Sequence, residues 1–298
     1  MPVCIVTDST ASLPPAVSAA RDVTVVPLQV VIGATSYDEG ADGGATPDMI
    51  AAALREWTPV STSRPNPAEM LAVYERVAAQ GATEIVSVHL SGELSGTFES
   101  AQLAARDASV PVHPVDTRQV GIGTGFAVLA AADARDSGAD AAAVAEAARA
   151  RARVTTSLFY VDTLEYLRRG GRIGAAAALV GSALAVKPIL RVDEGRIGSF
   201  ERVRTAGRAL FRLEELAVEA AGDEPVDVAV AHLASAERAA QLAEHLQERL
   251  GTGLEGREVL IGEIGAVLGA HVGPGMVAVC VARRGAADVV GREGSTTQ

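Results

Sequence analysis

Ser91-Gly-Glu-Leu-Ser95-Gly-Thr97 follows the apolar run Glu84 to Leu90 and opens a helix-like stretch, Phe98 to Ala105. Small hydroxyls and unpaired backbone N–H groups at a strand-to-helix turn make a ready anion site. A second hydroxyl cluster, Ser61-Thr62-Ser63, stands roughly thirty residues upstream, ahead of Arg64-Pro65. No base lies beside either cluster, so the chemistry they suit is holding a carboxylate or phosphate rather than transforming it. Ser95 also suits an ordinary helix cap, a role with the same geometry. In the upstream cluster Thr62 and Ser63 compete as the contact, with Ser63 favoured. Pro65 and Pro67 stiffen that segment and lower the entropy cost of holding a hydroxyl in place.

His271 precedes the turn Gly273-Pro274-Gly275. It suits either a structural histidine or a donor to the anion, and its charge state is open at this level. His89, inside a strand-like run, is expected to be structural. Asp8-Ser9-Thr10 ends the first strand, where open α/β sheets place ligands, but the same residues make a capped turn. Gly121-Ile-Gly123-Thr-Gly125 fails as a dinucleotide fingerprint: it follows a later strand, and Phe126 occupies the third glycine position. There is no Walker lysine, nucleophile elbow or zinc-ligand spacing, so no catalytic residue, metal or cofactor is expected. Arg168, Arg169 and Arg172 surround Gly170-Gly171, and Arg202 and Arg204 lie on a later strand. They are either a solvated charge run or a docking surface for a partner or a transferred phosphate, with Arg172, Arg202 and Arg204 the candidates.

These residues need elements to position them. Val3 to Thr7, Val23 to Val31, Ile85 to Leu90 and Val112 to Val115 read as strands. They alternate with helices at Pro47 to Glu56, Pro67 to Gln80, Thr97 to Ala105, Gly125 to Arg135 and Ala141 to Arg153. That order predicts a mostly parallel sheet with helices on both faces. Beyond Thr156 the texture changes. Lys187 to Val192 and Gly198 to Val203 form a hairpin around Asp193-Glu194-Gly195-Arg196. Helices follow at Arg208 to Ala221 and Ser235 to Leu250, among strands at Leu158 to Val161, Val226 to His232, Glu258 to Gly262 and Met276 to Val281. The fold class is therefore α/β with two domains: residues 1–155 carry the parallel sheet, and residues 156–298 form an α+β domain with an antiparallel sheet. Ile173 to Ala185 is predicted as an Ala-rich helix, a candidate tunnel wall or ordinary core.

Of 298 residues, 48% are hydrophobic and 21% charged, which describes a globular chain of two-domain length. Aromatic residues are only 3%, so the core is aliphatic. A net charge of −11 argues against nucleic acid and limits membrane contact to the transient. Met1-Pro2-Val3 leads straight into a strand, without the features of a leader, and Cys4 and Cys280 have no metal or redox spacing. A cytoplasmic protein with reduced thiols is expected.

The chain resembles the DegV family along nearly its whole length. The matching segments are Val3 to Thr10, Thr62-Ser63-Arg-Pro65, His89-Leu-Ser-Gly-Glu-Leu-Ser95-Gly-Thr97, Thr163 to Ile173 with Gly170-Gly171-Arg172, Lys187-Pro188-Ile-Leu190 and His271-Val-Gly-Pro-Gly275. Their order and spacing are specific together. The resemblance implies a non-catalytic carrier that buries a long-chain fatty acid in an apolar tunnel, its carboxylate held by Ser63 with Thr62 beside it, Ser95 and His271. It further implies presentation of that carboxylate to a separate fatty acid kinase, which makes an acyl phosphate. Gly92-Glu93 stands where the family usually has Ser-Gly, and is expected to bring a carboxylate near the anion. The alternative function is a small-molecule phosphotransferase or hydrolase using Asp8, Ser9 and the Ser95 turn.

Overall fold

The computed structural model describes residues 2–174, 176 and 187–284. In chain order the elements are β1 (Val3–Asp8), α1 (Pro15–Ala20), β2 (Val23–Val26), β3 (Gln29–Ile32), β4 (Thr35–Asp38), α2 (Pro47–Arg55), β5 (Val60–Ser63), α3 (Pro67–Ala79), β6 (Glu84–His89), α4 (Thr97–Asp107), β7 (Val112–Asp116), α5 (Ile122–Asp136) and α6 (Ala141–Arg153). The remainder are β8 (Thr155–Tyr160), α7 (Glu165–Arg169), β9 (Lys187–Asp193), β10 (Arg196–Val203), α8 (Ala206–Ala221), β11 (Val226–His232), α9 (Ala236–Arg249), β12 (Leu260–Glu263), α10 (Ala266–Val272) and β13 (Val277–Arg283).

The first sheet is parallel, in the order β2-β1-β6-β7. Alternate β1 residues serve its two faces: Val3 and Ile5 pack on the Ala-rich helices α5 and α6, and Val6 packs on α3 and α4. Alanines at the buried positions of α5 and α6 let both helices lie close to the sheet. Asn66 and Glu69 form a reciprocal capping box that fixes where α3 starts. The second sheet runs β10-β9-β8-β13-β11-β12 and is antiparallel except for the β11–β12 pair. Helices α8 and α9 cover one face, where Val226, Val228 and Val230 of β11 meet Val277, Val279 and Val281 of β13. The residues between them (Ala229, Cys280 and Ala282) turn the other way and meet Phe126 of α5.

A third, small antiparallel sheet, β4-β3-β5, is absent from the sequence expectation. The run Val23 to Val31 is two strands instead of one. Pro27 interrupts it, so that β2 pairs with β1 while β3 turns away to pair with β4 and β5. Ser61, Thr62 and Ser63 accordingly lie on a strand, not in a loop. Helices α1 and α10 were also not anticipated. The small sheet and α2 bury Leu28, Val30, Ile50 and Leu54 against Ala266, Val267 and Ala270 of α10. Most of the predicted helix Ile173 to Ala185 falls outside the described residues; Ile173 and Ala176 are buried. No helix among the described residues is long and apolar enough to cross a membrane.

Beneath the carboxyl end of the first sheet runs a closed polar chain. Tyr74 O–H donates to Ser87 Oγ at 2.8 Å, Ser87 lies 2.7 Å from His89 Nε2, and His89 Nδ1 lies 2.8 Å from Asp8 Oδ2. Asp8 also accepts the N–H groups of Thr10 and Leu90 and the Thr10 hydroxyl. All four linked side chains are fully buried, and burial pushes the Tyr74 phenol up to about 12, keeping it a donor. Asp8→Ala strands several buried donors at once and is expected to cost on the order of 3 kcal/mol, read as a fall in urea midpoint and Tm. Asp8→Asn should cost less, and an unchanged midpoint in the alanine variant would contradict the network's role.

Candidate functional site

The uncovered face of the second sheet and the N-terminal half enclose a cavity of about 400 Å³. Its wall is mostly aliphatic and aromatic: Phe159, Ile197, Ala231, Leu268, Met276 and Ala278. Ser157 and Cys280 also line it, but their polar atoms are engaged. Ser157 Oγ donates to Gln119 Oε1 at 2.8 Å and lies 3.3 Å from Cys280 Sγ, and burial pushes that thiol up to about 11. Both cysteines are free; Cys280 is buried and Cys4 only partly so.

Thr62, Ser63, Arg64, Ser95, Arg172 and His271 all line this one cavity. They come from four places: β5, the turn before α4, the turn after α7, and the last turn of α10. Strand alternation separates the two upstream hydroxyls. Thr62 is half-buried, its Oγ1 2.9 Å from His271 Nε2, whereas Ser63 is exposed and its hydroxyl makes only a 3.3 Å contact with Arg64 O. Ser95 Oγ accepts from Thr97 N at 3.3 Å and lies 2.9 Å from Thr97 Oγ1. The residue at the helix cap itself is Gly96, which has no side chain to offer. Ser91 holds the turn down: its hydroxyl donates to Gly195 O of the β9–β10 turn at 2.7 Å. Glu93, expected near the anion, instead turns to that hairpin and accepts from Arg196 at 2.7 Å.

Two guanidiniums flank the backbone of Ser95. Arg172 Nε donates to Leu94 O at 3.1 Å and its Nη1 to Gly170 O at 2.6 Å. Arg64 Nη1 donates to Gly96 O at 2.7 Å and pairs with Glu99 at 2.8 Å. Sequence reasoning passed over Arg64; its place directly after Thr62-Ser63 was the available signal. Arg202 and Arg204 sit elsewhere. Register places Arg202 opposite Pro188 and Ile197 opposite Val192, so Arg202 is on the cavity face of β10, and Arg204 lies just past the end of that strand. Both are exposed, and Arg202 is on the order of 16 Å along the strand from Ile197 at ~3.3 Å per residue. Of these three arginines only Arg172 lines the cavity. Arg168 and Arg169 are both held by Glu165. Asp8 is sealed in the polar chain, and Ser9 Oγ accepts from Leu28 N at 3.0 Å. Among the described residues no group of three metal-ligating side chains is placed to hold an ion.

His271 is pushed down to about 4, chiefly by burial and then by the positive charge of Arg172. It is therefore neutral at pH 7. Its Nδ1 is buried without a hydrogen-bond partner, against Gly170, where an added Cβ would collide with it. The glycine is what lets the ring lie flat in this place. A neutral ring with an unpaired Nδ1 is cheapest when the proton sits on Nε2, since a buried lone pair without a donor costs less than a buried unsatisfied N–H. Nε2–H then donates to Thr62 Oγ1, and the Thr62 proton is left to donate elsewhere.

The depressed value sets a stability slope. The unfolded chain takes up the His271 proton near 6.5 and the folded chain only near 4, so stability from this group is full above 6.5 and is lost as pH falls toward 4. The loss is at most on the order of 3 kcal/mol. Urea midpoints measured across that range should fall more steeply in the wild type than in His271→Gln; parallel profiles would refute the assignment.

A model of the DegV family, described as uncharacterised protein, matches residues 2–284. A DegV domain-containing protein of Streptomyces coelicolor is 50% identical over 282 residues, covering 95% of this chain and 99% of its own. A structure of a DegV family protein from Thermus thermophilus, described as showing fatty acid binding, superposes with a TM-score of 0.88 at 34% identity, covering 95% of this chain and all of that one. DegV of Bacillus subtilis, described as a fatty acid binding protein, superposes at 0.86 with 32% identity, covering 95% and 100%. With the family model spanning residues 2–284, a relative at 50% identity and the same fold in solved structures, the chain belongs to the DegV family.

Proposed function

We propose that this protein is a carrier that binds a long-chain fatty acid in the apolar cavity and presents its carboxylate to a separate ATP-dependent kinase for acyl-phosphate formation. The observation that carries the reading is one cavity, apolar along its wall, with its available hydrogen-bond donors gathered at one end. Burying each methylene is worth about 0.8 kcal/mol, so an ordinary acyl chain supplies on the order of 10 kcal/mol gross. At the head-group end, the Thr62 and Ser95 hydroxyls and the N–H groups opening α4 are the contacts that the local geometry favours. Ser63 stands at the exposed rim. Neutral His271 orients Thr62 instead of pairing with the anion as a cation, and Arg172, already held by two carbonyls, adds a positive potential. Ser63 and Arg64 are exposed, so this end of the cavity reaches the surface where a kinase would meet the carboxylate. Arg172 and, at and just past the end of β10, Arg202 and Arg204 are then the cations available to a docking partner. This assigns phosphoryl transfer to the kinase and positioning to the carrier.

Native mass spectrometry and organic extraction of protein purified from cells test the reading directly. A co-purifying acyl chain is expected. An empty protein that turns over phosphoesters would replace the carrier with the enzyme alternative. Thr62→Val and Ser95→Ala each remove one hydrogen bond to an anion, worth about 1.5–3 kcal/mol, so each should weaken fatty acid binding by tenfold or more on that scale. Tm should move little in Ser95→Ala, because a lost cap-type bond costs about 1 kcal/mol, and should fall further in Thr62→Val, which strands the buried His271 Nε2–H. Binding unchanged in both variants would remove the hydroxyls from the site.

A further inference from the structure

The helix that carries His271 is capped by a residue far away in sequence. Helix α10 is short, and its N-cap is Gly265, which has no side chain to satisfy the first-turn N–H groups. Glu39, just beyond β4, supplies the missing acceptor. Its Oε1 accepts from Val267 N at 2.8 Å across 228 residues of sequence. The side chain is sealed in, with the residue only 7% exposed, and its Oε2 is buried without a partner. Any side chain at position 265 would collide with this carboxylate. A chain that needed only a stable helix end would place Ser, Thr, Asp or Asn at the cap; here it keeps a glycine and buries a carboxylate from another element.

The consequence lies at the other end of the helix. From α10, Val267, Leu268, His271 and Val272 all line the cavity. Its axial position therefore fixes both a stretch of apolar wall and the His271–Thr62 hydrogen bond. We infer that Glu39 is the positioning residue of the head-group end: it sets where α10 stands and so governs how firmly the acid is held, without touching it. The assignment rests on the fatty acid reading above and adds to it a residue that no ligand contact would reveal. Negative charge at the start of α10 also opposes the helix dipole in the favourable sense.

The test uses the full chain, cis-parinaric acid as a fluorescent long-chain probe, and imidazole nitrogen resonances of labelled protein. Glu39→Ala is expected to weaken the probe's binding about tenfold, with faster release and shifted His271 resonances. Gly265→Ala, which displaces the carboxylate without deleting it, should do the same. Glu39→Gln keeps an acceptor oxygen and should stay within about threefold of the wild type. A Glu39→Ala protein that melts earlier but keeps wild-type affinity and unmoved His271 resonances has lost only stability, and overturns the proposal. Should that variant fail to fold, Gly265→Ala carries the same comparison, and wild-type values there overturn it equally. Failure of the wild type to bind the probe would instead sink the carrier reading itself.

Discussion

The second sheet keeps α8 and α9 on one face, so its other face is dried by the N-terminal half together with α10. Part of that face is closed tightly: Phe126 of α5 covers Ala229, Cys280 and Ala282. Along β8, β9 and the start of β10, where Phe159, Val192 and Ile197 project, the covering elements stand farther off. They are the Ser91–Ser95 turn, α10 and the edge of the small sheet. Small side chains on the sheet and short elements above it cannot fill the space to crystalline density. The cavity is thus a product of layer packing, and its apolar wall follows from being the inside of a sheet.

That origin also explains why the polar end is built as it is. Of the elements that meet there, α4 begins at the Ser95 turn, and a helix start has N–H groups to spare. An anion is welcome at such a place without an ion pair of its own. Arg172 and Arg64 reinforce it from behind, each tied to backbone carbonyls next to Ser95. The same charge on Arg172 helps keep His271 neutral. Cation and imidazole therefore divide the work: one supplies potential, the other fixes the direction of a hydroxyl.

Much of this was legible in local sequence signals. The Asn66-Pro67 start of α3, the alternation of β1 and the hydroxyl-rich turn at Ser95 each follow from interactions within a few residues. What was not legible depends on distance along the chain. Gly265 looks like a break, because the carboxylate that caps α10 lies at position 39. Ser61 to Ser63 looks like a loop, because three consecutive hydroxyls carry no hydrophobic alternation; only β3 makes them a strand. Pro27 was the one local clue that Val23 to Val31 would divide. Nothing local to Gly170 gives its reason, which is a histidine ring from a hundred residues later.

Two hydroxyl–histidine pairs in this chain have nearly the same geometry, and comparing them shows what makes a site. Ser87 lies 2.7 Å from His89 Nε2, with Asp8 on the other ring nitrogen, an order of groups that in a cleft would suggest a nucleophile. Here Tyr74 donates to the serine, Asp8 takes the ring proton, and every member is fully buried. No valence is left over, so the chain can only hold the sheet together. Thr62 lies 2.9 Å from His271 Nε2, but no carboxylate backs that ring and its Nδ1 has no partner. With Nε2–H donating to Thr62, the threonine hydroxyl retains a proton that no acceptor among the described residues claims, and Thr62 lines the cavity. Chemistry and contact distance are alike in the two pairs; the difference that matters for ligand binding is the unspent hydrogen bond.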